Sequence, residues 1–196
     1  MIVKVVTSGT LVMALAGGLI ILAVRRDYGE TDRLRRGTVA AVWGLYGLHL
    51  ALIVTSALLE IWPLGTSTPI RWIVGLPLVA GGLAMAALAV VSFRSFDLMS
   101  GRSTNRLVSG GIYRWSRNPQ NVGWALATLG VAWIGGSALG LVLTAIFWAL
   151  FASYVSIEEA FLAPTHGDSH RIYAERVPRY FGWPSELKIG EETVDG

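Results

Sequence analysis

Residues 5–24 run for 20 positions without a charged side chain. At about 1.5 Å of rise per residue, a helix of that length crosses the ~30 Å hydrocarbon layer of a bilayer. A helix is also the only form a lone segment can take there, because hydrocarbon offers no partner for free backbone N–H and C=O groups. Largely apolar runs recur at 38–62, 70–92, 122–134 and 138–157, separated by charge or by Pro, Gly, Ser and Thr. The chain is therefore expected to be all-α: a polytopic membrane protein of about five transmembrane helices, one domain over 1–196, with a cytoplasmic C-terminal region at 158–196. The run at 122–134 is short for a full span, so it is expected to tilt or to turn within the outer leaflet. Gly135, Gly136 and Ser137 would close it into an antiparallel hairpin with 138–157. The first run reads as a span rather than a cleaved leader. Ala14-Leu15-Ala16 has a small-x-small form, but the run continues eight residues past it and only Lys4 precedes it.

Orientation follows from the basic residues, which cluster in cytoplasmic loops. Five arginines lie in 25–37, five in 93–121, and Arg171, Arg176, Arg179 and Lys188 in the tail. Only Lys4 and Arg71 fall on the other side. The N-terminus is expected outside and the tail in the cytoplasm.

The same count argues against nucleic acid, since the arginines flank apolar spans instead of forming a soluble basic face. Absence of cysteine removes disulfides, thiolate metal sites and cysteine nucleophiles. His166 and His170 stand four apart around Asp168, but Pro164 and Gly167 argue against a firm helix there. No metal is expected.

One stretch does not belong with its apolar surroundings. Residues 109–123 read SGGIYRWSRNPQNVG, and Arg114, Arg117 and Asn118 could not sit in mid-membrane although an apolar run follows at once. Asn118-Pro119 is a helix-start signal, Asn as cap and Pro in the first turn. That accounts for Asn and Pro but not for Gly110, Gly111, Tyr113 and Arg117.

GIYRWSRNPQNVG resembles the G-x-Y-x-x-x-R-[HN]-P-x-Y pattern of the isoprenylcysteine carboxyl methyltransferase and phospholipid methyltransferase family, membrane enzymes that use S-adenosylmethionine. Downstream, residues 157–184 are similar to that family's E-E-x-x-L/F-x-x-x-F-G-x-x-Y-x-x-Y-x-x-x-V-P-R tail. Glu158, Glu159, Gly167, Tyr173, Val177, Pro178 and Arg179 supply the matching positions. Asn121 stands where the family usually has Tyr, His166 where it has Phe, and His170 where it has Tyr. The resemblance implies a methyltransferase whose S-adenosylmethionine pocket is built jointly by Arg117, Asn118, Pro119, Glu158 and Glu159, with Gly111, Tyr113 and Tyr173 contributing. It further implies Glu159, Arg176 and Arg179 as catalytic and Asn121 as a substrate contact. The acceptor it implies is amphiphilic, a prenylcysteine-like carboxylate or a phospholipid amine, taken up from membrane lipid. Sterol and steroid reductases that use NADPH resemble the same tail, though they are generally longer, and a non-catalytic protein of the same fold is a third reading.

These side chains suit the chemistry. A guanidinium such as Arg117 matches the donor's carboxylate, Glu158 and Glu159 can accept from ribose hydroxyls or an amino group, and Tyr113 or Trp115 offers a flat surface to adenine. Adjacent helical residues point about 100° apart, so one of the two glutamates at most should face a given ligand atom. The glutamates also read simply as a solvated helix end, and Arg176 and Arg179 as headgroup anchors. His49, in the middle of the second span, is a further substrate-site candidate by its ionisable side chain, or else a hydrogen-bonding partner for a neighbouring helix. Gly44, Gly47 and Ala51, and Ala80 and Ala84, are expected to be helix-packing positions, and Glu60 to snorkel to water.

Overall fold

The computed structural model describes residues 1–93, 96–104 and 106–185. Arg94 and Lys188, counted above, and the end of the tail lie outside them. Among the described residues the chain is all-helical. The helices are α1 (Ile2–Thr31), α2 (Arg36–Leu58), α3 (Thr68–Phe93), a short α4 (Phe96–Met99), α5 (Pro119–Ile134), α6 (Ala138–His166) and α7 (Asp168–Arg176). A single 3-10 turn, Gly111–Arg114, precedes α5.

Four helices, α1, α2, α3 and α6, are long and apolar enough to cross a membrane. The fifth apolar segment, α5, has 16 residues, about 24 Å at the helical rise. It forms the expected hairpin with α6 through Gly135–Ser137. Ser137 Oγ accepts from Gly140 N at 3.1 Å, which caps α6, and bonds the Ile61 carbonyl at 2.7 Å. Leu64 N and Ala138 N tie this hairpin to the α2–α3 connection at 2.9 Å each. Arg71, buried beside the same turn, pairs with Glu60 at 2.9 Å, so Glu60 keeps its exposure to water while holding a partner.

Two packing units result. Met13, Leu45, Tyr46, Ile53, Leu143, Phe147 and Phe151 form a core between α1, α2 and α6. The tightest crossing is α3 on α5, and its small residues are not those expected. A Cβ on Gly82 would come within 2.4 Å of Ala127 N, and one on Gly123 within 2.6 Å of Ala86 N. Gly44 and Gly47 face open space, and Ala51, Ala80 and Ala84 are exposed. Small residues occur at helical spacing on several faces of these helices, and lipid-facing glycines read the same as interfacial ones until a partner is known. Leu11, Leu15, Leu19 and Leu22 of α1, with Ile73, Leu76 and Leu83 of α3, stay exposed as lipid-facing surface.

Two boundaries differ from expectation. Helix α1 continues through Arg25 and Arg26 to Thr31, and Asp27 within it, wholly buried, accepts from Arg35 N at 3.0 Å and from Thr38 Oγ1, tying α1 to the start of α2. Helix α6 runs through Pro164 to His166 and breaks only at Gly167, whose φ is 52°. Pro164 falls in the last turn, where the carbonyl it leaves without a donor is exposed.

Candidate functional site

The two halves of the sequence signature meet in space. Arg117 N donates to Pro178 O at 3.0 Å, Asn118 Nδ2 to Arg179 O at 3.1 Å, and Gly182 N to Trp115 O at 3.2 Å. Tyr173 Oη donates to Tyr113 O at 2.9 Å, tying α7 to the 3-10 turn. Asn118 occupies the cap position of α5, but its side chain is given to this staple rather than to the cap. Ser116 Oγ instead accepts from Asn118 N at 3.0 Å. Gly111, at φ 60°, lets the chain turn into the 3-10 segment.

Beneath the staple lies a cleft, open on one side, with about 150 Å³ of free volume. Its walls come from one face of α2 (Val39, Val42, Trp43, Tyr46), one face of α6 (Phe151, Tyr154, Glu158, Leu162, with Glu159 and His166 alongside), and residues 98–101, 103–104 and 106–108. Spacings of three and four residues put each set on one side of its helix. The floor towards the helix core is aromatic, and the opposite end is charged.

At the charged end Arg117 and Glu159 are only 15% and 13% exposed as side chains, with Nη1 and Oε1 at 3.4 Å. Glu159 Oε2 is gripped by Arg179 at 2.7 and 2.8 Å. The two glutamates diverge as helical geometry requires: Glu158 faces Tyr28, whose hydroxyl is 3.5 Å from Oε1, and Glu159 faces the arginines. Arg117 Nε and Glu159 Oε1 are buried without a hydrogen-bond partner. Buried polar atoms are normally paired, so such atoms in a cleft wall mark where a ligand's polar groups are accommodated. Burial, with Arg117 adding to it against Glu159, pushes the His170 imidazole below its usual range, leaving it neutral at pH 7. Burial likewise raises Tyr113 and Tyr173, which stay protonated hydroxyl donors.

Of the expected site residues, the cleft wall gathers Tyr113, Arg117, Asn118, Asn121, Glu158, Glu159 and Tyr173. Asn121 Oδ1 accepts from Tyr46 Oη at 2.9 Å. Pro119 is buried behind the wall as the first residue of α5. Gly111 shapes the backbone from outside it. Arg179 reaches the site only through Glu159, and Arg176 is exposed away from it. Trp115 packs on Trp183, with ring centres 4.9 Å apart. His49 is not at the cleft: it is fully buried in the core, stacked on Phe147 at 4.0 Å, and accepts from Trp124 Nε1 at 3.1 Å. Its Nδ1 thus bonds a neighbouring helix, while its Nε2 is buried without a hydrogen-bond partner. Sequence reading missed Tyr28, Trp43, Tyr46 and Tyr154: the last three look like ordinary apolar-helix residues and Tyr28 like part of a basic loop until α1, α2 and α6 are packed together.

Residues 70–169 match the model of a family described as phospholipid methyltransferase. The protein-S-isoprenylcysteine O-methyltransferase of Schizosaccharomyces pombe is 30% identical over 105 residues, covering 52% of this chain and 44% of that protein. Its namesake in Rattus norvegicus is 30% identical over 88 residues, 44% of this chain and 31% of the other, and that in Mus musculus is 32% identical over 87 residues with the same coverage. The chain thus spans less than half the length of these relatives. No solved structure matches it.

Proposed function

Because the chain belongs to the phospholipid methyltransferase family, we propose that it transfers a methyl group from S-adenosylmethionine to an amphiphilic acceptor. The acceptor has a prenylcysteine-like or phospholipid-like head and enters from the bilayer. The observation that carries this reading is the joining, in one cleft, of a charged end at Arg117 and Glu159 to an aromatic end at Trp43, Tyr46 and Phe151. A zwitterionic donor suits the first and a lipid-borne head the second.

Bound there, the donor's sulfonium would supply an electrophilic methyl carbon. The chain's own part is alignment and exclusion of water. Arg117 Nε is an unused donor for a carboxylate oxygen, and Glu159 Oε1, in ion-pair range of Arg117 Nη1 but not hydrogen-bonded, is an acceptor for an N–H or O–H. Arg179 holds Glu159 in place as a positioning residue. Tyr113 and residues 98–101, 103–104 and 106–108 line the cleft. An acceptor with a hydrophobic portion would concentrate in the bilayer by about 0.8 kcal/mol for each buried methylene. Lengthening its alkyl or prenyl chain with the reactive head unchanged is therefore expected to raise apparent kcat/KM in liposomes supplied with radiolabelled donor. Equal efficiency with water-soluble truncated acceptors would contradict entry from the bilayer.

The distribution of basic residues supports an orientation with the cleft on the cytoplasmic side and the N-terminus outside. Cysteines introduced into this cysteine-free chain test it. A membrane-impermeant thiol reagent applied to intact cells is expected to label Ser67→Cys and spare Thr104→Cys. The opposite pattern inverts the topology.

A further inference from the structure

His166 closes α6, seven residues after Glu159 and on the same side of the helix. It lines the cleft, and its Nε2 is buried without a partner. Three buried atoms of the wall thus lack a hydrogen bond: Arg117 Nε and His166 Nε2, both nitrogens able to donate, and Glu159 Oε1, an acceptor that faces Arg117 Nη1 at 3.4 Å. Two donors and one anionic acceptor match a free α-amino acid group, whose carboxylate offers two oxygens and whose ammonium needs an anion.

Resting on the methyl-donor reading above, we propose that His166 is the second prong, with Arg117, of a clamp on the carboxylate of the donor's amino-acid end, while Glu159 Oε1 takes its ammonium. Imidazole then does at this position what a phenyl ring cannot. His170, seated on α7 beside His166, Arg117 and Glu159, keeps that neighbourhood from gaining a further positive charge because burial leaves it neutral.

The discriminating ligands are S-adenosylhomocysteine and its decarboxylated analogue, which keeps adenosine, sulfur and amine but lacks the carboxylate. Calorimetry on the full chain in detergent is expected to show the wild type preferring S-adenosylhomocysteine by well over about tenfold, as two charged hydrogen bonds would give. His166→Phe is expected to lose about tenfold in affinity for S-adenosylhomocysteine while leaving the analogue's affinity nearly unchanged. His166→Gln, which keeps an N–H donor, is expected to recover part of the preference. A general disturbance of the cleft would weaken both ligands alike, and that outcome, or an unchanged preference in His166→Phe, overturns the clamp while leaving the donor reading standing. A wild type without the preference overturns the clamp with no variant needed. A wild type that binds neither ligand overturns the donor reading together with it.

Discussion

Gly123→Leu is expected to prevent α5 from seating on α3 and to abolish donor binding with it. A Cβ at this position lies 2.6 Å from both Ala86 N and Gly82 O, and the facing Gly82 would meet Ala127 N at 2.4 Å. These are backbone atoms of a continuous helix, so they cannot swing aside as a side-chain tip would. Overpacking a core costs about 1–3 kcal/mol when neighbours can shift, and against two rigid backbones the loss should reach or pass the top of that range. Total stabilities are only ~5–15 kcal/mol, so the effect is large. Because Arg117 and Asn118 lead directly into α5, a displaced helix also moves the charged end of the cleft. Thermal unfolding in detergent checks it, with Gly44→Leu as control: that glycine faces open space and its substitution is expected to leave the melting temperature nearly unchanged. A Gly123→Leu protein that melts and binds like the wild type would contradict the packing described.

The contrast between these two glycines shows what was legible in the sequence. Length and absence of charge locate a span because the bilayer imposes them on every segment separately. The face along which two spans meet depends on the partner, and Gly82 and Gly44 are indistinguishable in that respect until α5 is placed. Arg117 and Glu159 were legible, but only as halves of a motif, since from residue type alone the glutamates read as a solvated helix end. Tyr28 and Tyr46 were not legible at all, the one an aromatic in the basic stretch 25–37 and the other in an apolar helix, and they enter the cleft wall through the packing of α1 and α2 against α6. Asp27, set among the arginines of 25–37, carries no signal of its own in the sequence, whereas in the structure it is buried and ties α1 to the start of α2. For His49 two readings were open: Trp124 Nε1 bonds its Nδ1 and Phe147 stacks on its ring, while its Nε2 is buried without a partner.

Arg117→Ala and Glu159→Gln are each expected to weaken S-adenosylhomocysteine binding by at least tenfold, the ~1–3 kcal/mol of a buried charged hydrogen bond. The residues share an ion pair, so the double variant should lose less than the sum of the two. Arg179→Ala should lose less than either, since it acts through Glu159. Arg176→Ala, exposed away from the cleft, should bind as the wild type does. The most direct test sets two ligands against the same protein: calorimetric titration of the purified wild type, and of Arg117→Ala and Glu159→Gln shown to be folded, with S-adenosylhomocysteine and with NADPH. A methyltransferase cleft at Arg117 and Glu159 predicts saturable binding of S-adenosylhomocysteine that both variants weaken, and none of NADPH. Saturable NADPH binding without S-adenosylhomocysteine binding, or undiminished S-adenosylhomocysteine affinity in both folded variants, would contradict it.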